Sequence, residues 1–228
     1  MSAENKFSSP GLWLVGLGPG NPELLTIGAV DAIKKCTQVF IEGYTAHLQN
    51  RDLEEMQTRF GKWEPLMRSA IEKPDKLLEL ASKEAVALLV IGDVLQATTH
   101  IDLILRCDKL KIPTHIIPGI SITTLIGEVG LQAYRFGRQT TIPYGYKSYL
   151  PTSPLEVILM NKKQNLHTLV LLDLDPTGMG EEIPQPMTPS VAIDTLKSMS
   201  RKLESEGEQM TEDLNSWQAI LCSNLGTN

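Results

Sequence analysis

Asp93 and His100 are the side chains whose types and spacing best suit chemistry, within Gly92-Asp93-Val94-Leu95-Gln96-Ala97-Thr98-Thr99-His100. A carboxylate, two hydroxyls and an imidazole follow directly on the apolar run Val86 to Ile91, which reads as a buried strand. Glycine lets backbone approach a ligand closely, and open α/β sheets bind ligands beyond the carboxyl ends of their strands. Strand-Gly-Asp turns are also ordinary punctuation. Asp93 therefore has two readings: a carboxylate that holds a ligand amine or hydroxyl, or a cap for the helix beginning near Thr98. His100 is either an acid–base group or, with no partnering Cys, Ser or carboxylate motif, a structural imidazole.

Two further turns have the same build. Gly16-Leu17-Gly18-Pro19-Gly20 stands between a strand and a helix, as a dinucleotide fingerprint would. Asn21 occupies the place of the third glycine, and Pro19 removes a backbone donor, which weakens that reading against a plain tight turn. Pro118-Gly119-Ile120-Ser121-Ile122 is the second such turn, with Ser121 able to cap a helix or meet a ligand. His167 and Asp173 flank the apolar segment Thr168 to Leu172, His167 as a backbone-bonded imidazole, Asp173 as a site carboxylate or a strand-end cap. No HExxH, GxSxG or Walker pattern occurs, and the four histidines are scattered, so no metal site is expected.

The elements that would position these residues alternate. Strands are expected at Leu12 to Leu17, Thr37 to Glu42, Val86 to Ile91 and Thr114 to Ile117. Helices are expected at Pro22 to Lys35 (Asn21 capping, Pro22 leading), at residues 44–60, ending at Leu77 to Lys83, and at Ile101 to Leu110. That alternation implies an α/β fold with a mainly parallel sheet. Beyond residue 113 the pattern predicts a small-residue helix at Ser121 to Leu131 and strands at Thr140 to Pro143 and Leu166 to Leu172. A loop at Gly178 to Pro189 and an amphipathic helix at Ala192 to Glu206 follow, with a last strand at Trp217 to Cys222. A boundary near Lys111-Ile112-Pro113 divides the chain into 1–112 and 113–228. Gly-bearing turns from both parts imply a ligand cleft between domains.

Composition narrows the class. The 228 residues suffice for one large domain or two of roughly 100 residues each. Hydrophobic content of 42% and charged content of 21% describe an ordinary globular protein. A net charge of −6 argues against a nucleic-acid or anionic-membrane surface, which needs clustered Lys and Arg. Cys36, Cys107 and Cys222 are far apart and odd in number, suggesting neither disulfides nor zinc, and a reducing cytoplasmic home. Residues 1–10 lack the apolar core of a signal peptide, and no apolar run approaches the ~20 residues of a membrane helix.

Several segments together resemble one family. Gly16-Leu17-Gly18-Pro19-Gly20 with Glu23-Leu24-Leu25-Thr26 resembles the opening of the tetrapyrrole methylase superfamily. Within it, Glu42-Gly43-Tyr44-Thr45, Gly92-Asp93 with Ala97-Thr98-Thr99-His100, and Gly130 to Gly137 are similar to the diphthine synthase branch. Pro151-Thr152-Ser153-Pro154 and Leu166-His167-Thr168-Leu169-Val170-Leu171-Leu172-Asp173 extend the resemblance, which runs from about residue 12 to the last residue.

That resemblance implies two α/β domains with S-adenosylmethionine in the cleft between them. It implies methyl transfer to the 3-amino-3-carboxypropyl group on one histidine of translation elongation factor 2, a cytoplasmic homodimer, S-adenosylhomocysteine as product, and no metal. By position, it assigns cofactor contacts to Pro19, Asp93, Gln96, Ser121, Ile122, Leu172 and Leu225, with Thr98 and Thr99 close by. No residue is assigned as general base. Two departures stand out: Val94 replaces the family's proline, and the family's strands past Leu225 are absent, so the second domain is expected to be incomplete. The alternatives are a corrin or porphyrin methylase, or a shortened non-catalytic binder of S-adenosylmethionine.

Overall fold

The computed structural model describes residues 7, 9–96, 100–145, 149–182, 184–208 and 213–226. It forms two compact units: Met1–Leu125 with Gly180–Pro184 and Asn224–Asn228, and Ile126–Met179 with Gln185–Ser223.

The first unit is built on strands β1 (Gly11–Gly16), β2 (Gln38–Glu42), β3 (Glu64–Leu66), β4 (Ala85–Val90) and β5 (Thr114–Ile117). They form one sheet in the order β3-β2-β4-β1-β5, and every pairing is parallel. The central strands β1 and β4 are buried along their whole length. Strands covered on both faces read as continuous apolar runs, which is why Leu-Trp-Leu-Val and Ala-Val-Ala-Leu-Leu-Val stand out in the sequence. Alternation sorts their side chains. Trp13, Val15, Ala87 and Leu89 join one core with helices α1 (Ile27–Lys35) and α2 (Asn50–Phe60) through Ala29, Ala32, Ile33 and Met56. Leu12, Leu14, Val86, Leu88 and Val90 join the other with α4 (Asp75–Ala81) and α5 (His100–Lys109), through Leu77, Leu78, Leu103 and Cys107. The short α3 spans Arg68–Glu72.

The expected helix over Pro22 to Lys35 is two pieces. A 3₁₀ turn, Pro22–Leu24, is capped by Asn21, whose side chain accepts from Glu23 N at 2.9 Å. Thr26 then accepts from Ala29 N at 3.1 Å and starts α1. Ser121 to Leu131 is likewise shortened, to α6 (Ile122–Leu125) and a 3₁₀ turn at Ile126–Val129.

The second unit holds a two-stranded parallel sheet of β6 (Thr140–Ile142) and β7 (Val170–Leu172), with helices α7 (Ser153–Lys163) and α8 (Pro189–Ser205). Ile142, Leu155, Met187, Ala192, Met199 and Leu203 make its core. Its polar anchor is buried Asn161 on α7. The amide donates to Arg138 O at 2.7 Å and Thr168 Oγ1 at 2.9 Å, and accepts from Arg138 N at 3.1 Å.

Two expectations are corrected. The division near Lys111–Pro113 would place Thr114 to Ile117 in the second domain, yet β5 pairs with β1 from Leu12↔Thr114 to Val15↔Ile117 and the first unit continues to Leu125. Trp217 to Cys222 forms no strand. Trp217 packs against the second core and its N donates to Leu214 O at 3.3 Å, while Ile220 and Leu221 are exposed. Among the described residues, no helix is long and apolar enough to cross a membrane, and no three metal-binding side chains cluster.

Candidate functional site

Three glycine turns meet at the carboxyl end of the first unit's sheet. Leu17 N donates to Val90 O at 2.8 Å; Gly18 N to Gly92 O at 3.0 Å; Gly92 N to Gly18 O at 2.8 Å. The turns after β1 and β4 are thus bonded to each other. The turn after β5 packs against both. A Cβ on Gly16 would come within 2.7 Å of Gly119 Cα and 2.8 Å of Gly92 O, and one on Gly119 within 2.7 Å of Gly16 C. Only hydrogen fits at such a backbone crossing. Gly92, by contrast, has φ +83° and nothing within 4 Å of a Cβ position, so bare backbone faces open space there.

Asp93 ties this arrangement together. Its Oδ1 accepts from Leu95 N at 2.9 Å, and its Oδ2 accepts from Gly119 N at 3.0 Å. The carboxylate caps its own turn and straps the turn after β4 to the turn after β5, while the expected helix start near Thr98 lies outside the described residues. Each oxygen keeps a further lone pair for a ligand. Gln96 closes the turn, its N donating to Asp93 O at 3.2 Å, with its side chain exposed.

The other expected residues of this unit lie on the same framework. Ser121 is 7% exposed, and its Oγ accepts from Thr123 N at 3.2 Å and Thr123 Oγ1 at 3.0 Å, which caps α6 just before Ile122. A Cβ on Gly226 would lie 2.7 Å from Pro19 Cγ and 2.8 Å from Leu125 Cδ1, so Leu225 adjoins the residue packed on Pro19. Leu172 belongs to the second unit, where it ends β7 and is half-buried. Asp173 follows as a cap: Oδ2 accepts from Tyr144 N at 2.8 Å, and Oδ1 from Leu174 N at 2.8 Å and Asp175 N at 3.1 Å. Burial, with the Asp173 charge, pushes the Tyr144 hydroxyl above its usual range. His167 donates its N–H to Arg135 O at 2.9 Å and lays its ring against Phe136. Thr98 and Thr99 lie outside the described residues.

His100 has the carboxylate partner that the sequence motifs did not supply. Its Nε2 lies 3.3 Å from Glu42 Oε1, with the two side chains 0% and 1% exposed. Its Nδ1 lies 3.3 Å from Val94 O. Thr45 Oγ1 donates to Glu42 Oε2 at 2.7 Å. The local signal for Glu42 is a carboxylate at the end of a strand whose last three positions are buried. Sheet order β2-β4 is what brings it to His100.

The chain belongs to the tetrapyrrole (corrin/porphyrin) methylases, whose family model matches residues 11–227. Its relatives narrow the branch. It is 39% identical over 197 residues to a diphthine synthase of Methanocorpusculum labreanum, covering 85% of this chain and 76% of that one. It is 41% identical over 165 residues to a diphthine methyl ester synthase of Saccharomyces cerevisiae, covering 72% of this chain and 55% of that one. The chain thus spans about half the length of the yeast relative. A solved diphthine synthase superposes with a TM-score of 0.72 at 33% identity, covering 84% of this chain and 72% of that one.

Proposed function

We propose that the chain is a diphthine synthase: it transfers methyl groups from S-adenosylmethionine to the 3-amino-3-carboxypropyl group on a histidine of elongation factor 2. The observation that carries the reading is the three-turn crossing of Gly16, Gly92 and Gly119, strapped by Asp93, at the carboxyl edge of a parallel sheet. Pro19, Asp93, Gln96, Ser121, Ile122 and Leu225 from the first unit, with Leu172 from the second, are the proposed cofactor contacts. Their chemistry suits the group: the apolar residues suit an adenine ring, while Asp93, Gln96 and Ser121 suit its hydroxyls and amine. The setting is proposed to be cytoplasmic and the assembly homodimeric, with elongation factor 2 as protein substrate and no metal.

S-adenosylmethionine supplies a methyl group on a positively charged sulfur. Displacement there asks the protein to align donor and amine and to exclude water, and alignment alone is worth up to roughly 7–11 kcal/mol in favourable cases. Asp93 contributes by holding Gly119 N and Leu95 N, so that backbone on two turns keeps one spacing. Bare backbone at Gly92 leaves room for close approach. Incubation with S-adenosylmethionine and elongation factor 2 bearing the aminocarboxypropyl histidine is expected to add methyl mass to that residue. No added mass, with a full-length homologue active on the same substrate, overturns the reading.

A further inference from the structure

Glu42 and His100 form a buried pair that the cofactor contacts leave unused. Burying a carboxylate and an imidazole costs desolvation, and well-packed apolar side chains often stabilise a core at least as well. Stability alone is therefore a poor account of the pair. Its connections are more specific. Thr45 Oγ1 donates to Glu42 Oε2 at 2.7 Å, Glu42 Oε1 lies 3.3 Å from His100 Nε2, and His100 Nδ1 lies 3.3 Å from Val94 O. This line runs from the end of β2 to the turn after its neighbour β4. It reaches the carbonyl of Val94, the residue next to Asp93. Val94 O can only accept, so Nδ1 is the ring nitrogen that donates to it.

We infer that Glu42 and His100 are positioning residues for cofactor binding: His100 pins the Val94 carbonyl while Asp93 pins Gly119, and the two together orient the Gly92–Gln96 turn. The imidazole restrains this turn from outside it, through the Val94 carbonyl. The inference rests on the reading of S-adenosylmethionine as cofactor.

Calorimetric titration of S-adenosylhomocysteine into the full chain separates the two. Absence of binding by the unsubstituted chain overturns the cofactor reading, and this inference with it. Where that chain binds, His100→Gln and Glu42→Gln are each expected to raise Kd on the order of tenfold, at a temperature where circular dichroism shows them folded. Ile33→Ala, a cavity on α1 in the core on the other face of the sheet, is expected to lower Tm without moving Kd. A filler role for the pair predicts the Ile33→Ala pattern. His100→Gln with a lowered Tm and a Kd within about twofold of the unsubstituted chain therefore overturns the inference. Thr45→Val, which removes only the hydrogen bond to Glu42, is expected to raise Kd about threefold and decides the matter if the buried variants do not fold.

Discussion

A carboxylate can serve a ligand and its own backbone at once, and Asp93 is built to do the second whatever it does for the first. Its two oxygens accept from Leu95 N and Gly119 N. Asp93→Ala should therefore cost about 1–2 kcal/mol in urea unfolding and weaken S-adenosylhomocysteine binding at least about tenfold. Lost stability with unchanged affinity would leave Asp93 a strap alone. Asp93→Asn separates the two further, because an amide keeps only one acceptor oxygen for two N–H donors. Gly119→Ala tests the crossing itself. Its Cβ would meet Gly92 O and Gly16, all backbone, so a loss of about 3 kcal/mol or more is expected in the same measurement.

Elements differ in how far their residues declare them. Strands β1 and β4 were legible because burial on both faces leaves a continuous apolar run. Strand β3, Glu-Pro-Leu, was not legible: three residues with a central proline carry no period, and only the edge beside β2 makes them a strand. Trp217 to Cys222 misled for the converse reason, since an apolar run becomes a strand only where a neighbour accepts its hydrogen bonds. Asn21 and Thr26 show the finer grain, where the sequence reading found the first cap and the structure adds a second start five residues on. Thr26→Ala is expected to cost about 1 kcal/mol, with faster amide exchange confined to the first turn of α1. Exchange unchanged at Ala29 would show that this cap is idle. The three-turn site was legible residue by residue, but its closure was not. Contact among Gly16, Gly92 and Gly119, and between Glu42 and His100, depends on strand order, which local pattern does not encode.

At the scale of the molecule, the two units carry separate reporters. Trp13 and Trp63 are buried in the first, and Trp217 packs on the second core. Asn161→Ala removes three hydrogen bonds within the second unit and should destabilise it by about 3 kcal/mol. Fluorine NMR of fluorotryptophan-labelled protein would then show the Trp217 signal melting first, and coincident melting would mean that the units unfold together. Alkaline stability follows from the thiols. Burial pushes Cys36 from the usual 9.0 up to about 12, and Cys107 upward with it. The unfolded thiol ionises first, so the native state loses stability as pH rises from 9.0 towards about 12. Between about pH 8 and 10 the Cys36 share is at most about 1 kcal/mol, given its partial exposure, and Cys36→Ala should remove that share of the slope. The interlocked glycines also set how this site can evolve. A collision between side chains can be relieved by trimming the neighbour, but Gly16, Gly92 and Gly119 meet as main chain, and main chain has nothing to trim. A saturation library should find Gly16 and Gly119 barren singly and in every pairwise combination. The tolerant Cβ space at Gly92 would show its limits only through the sign of its φ.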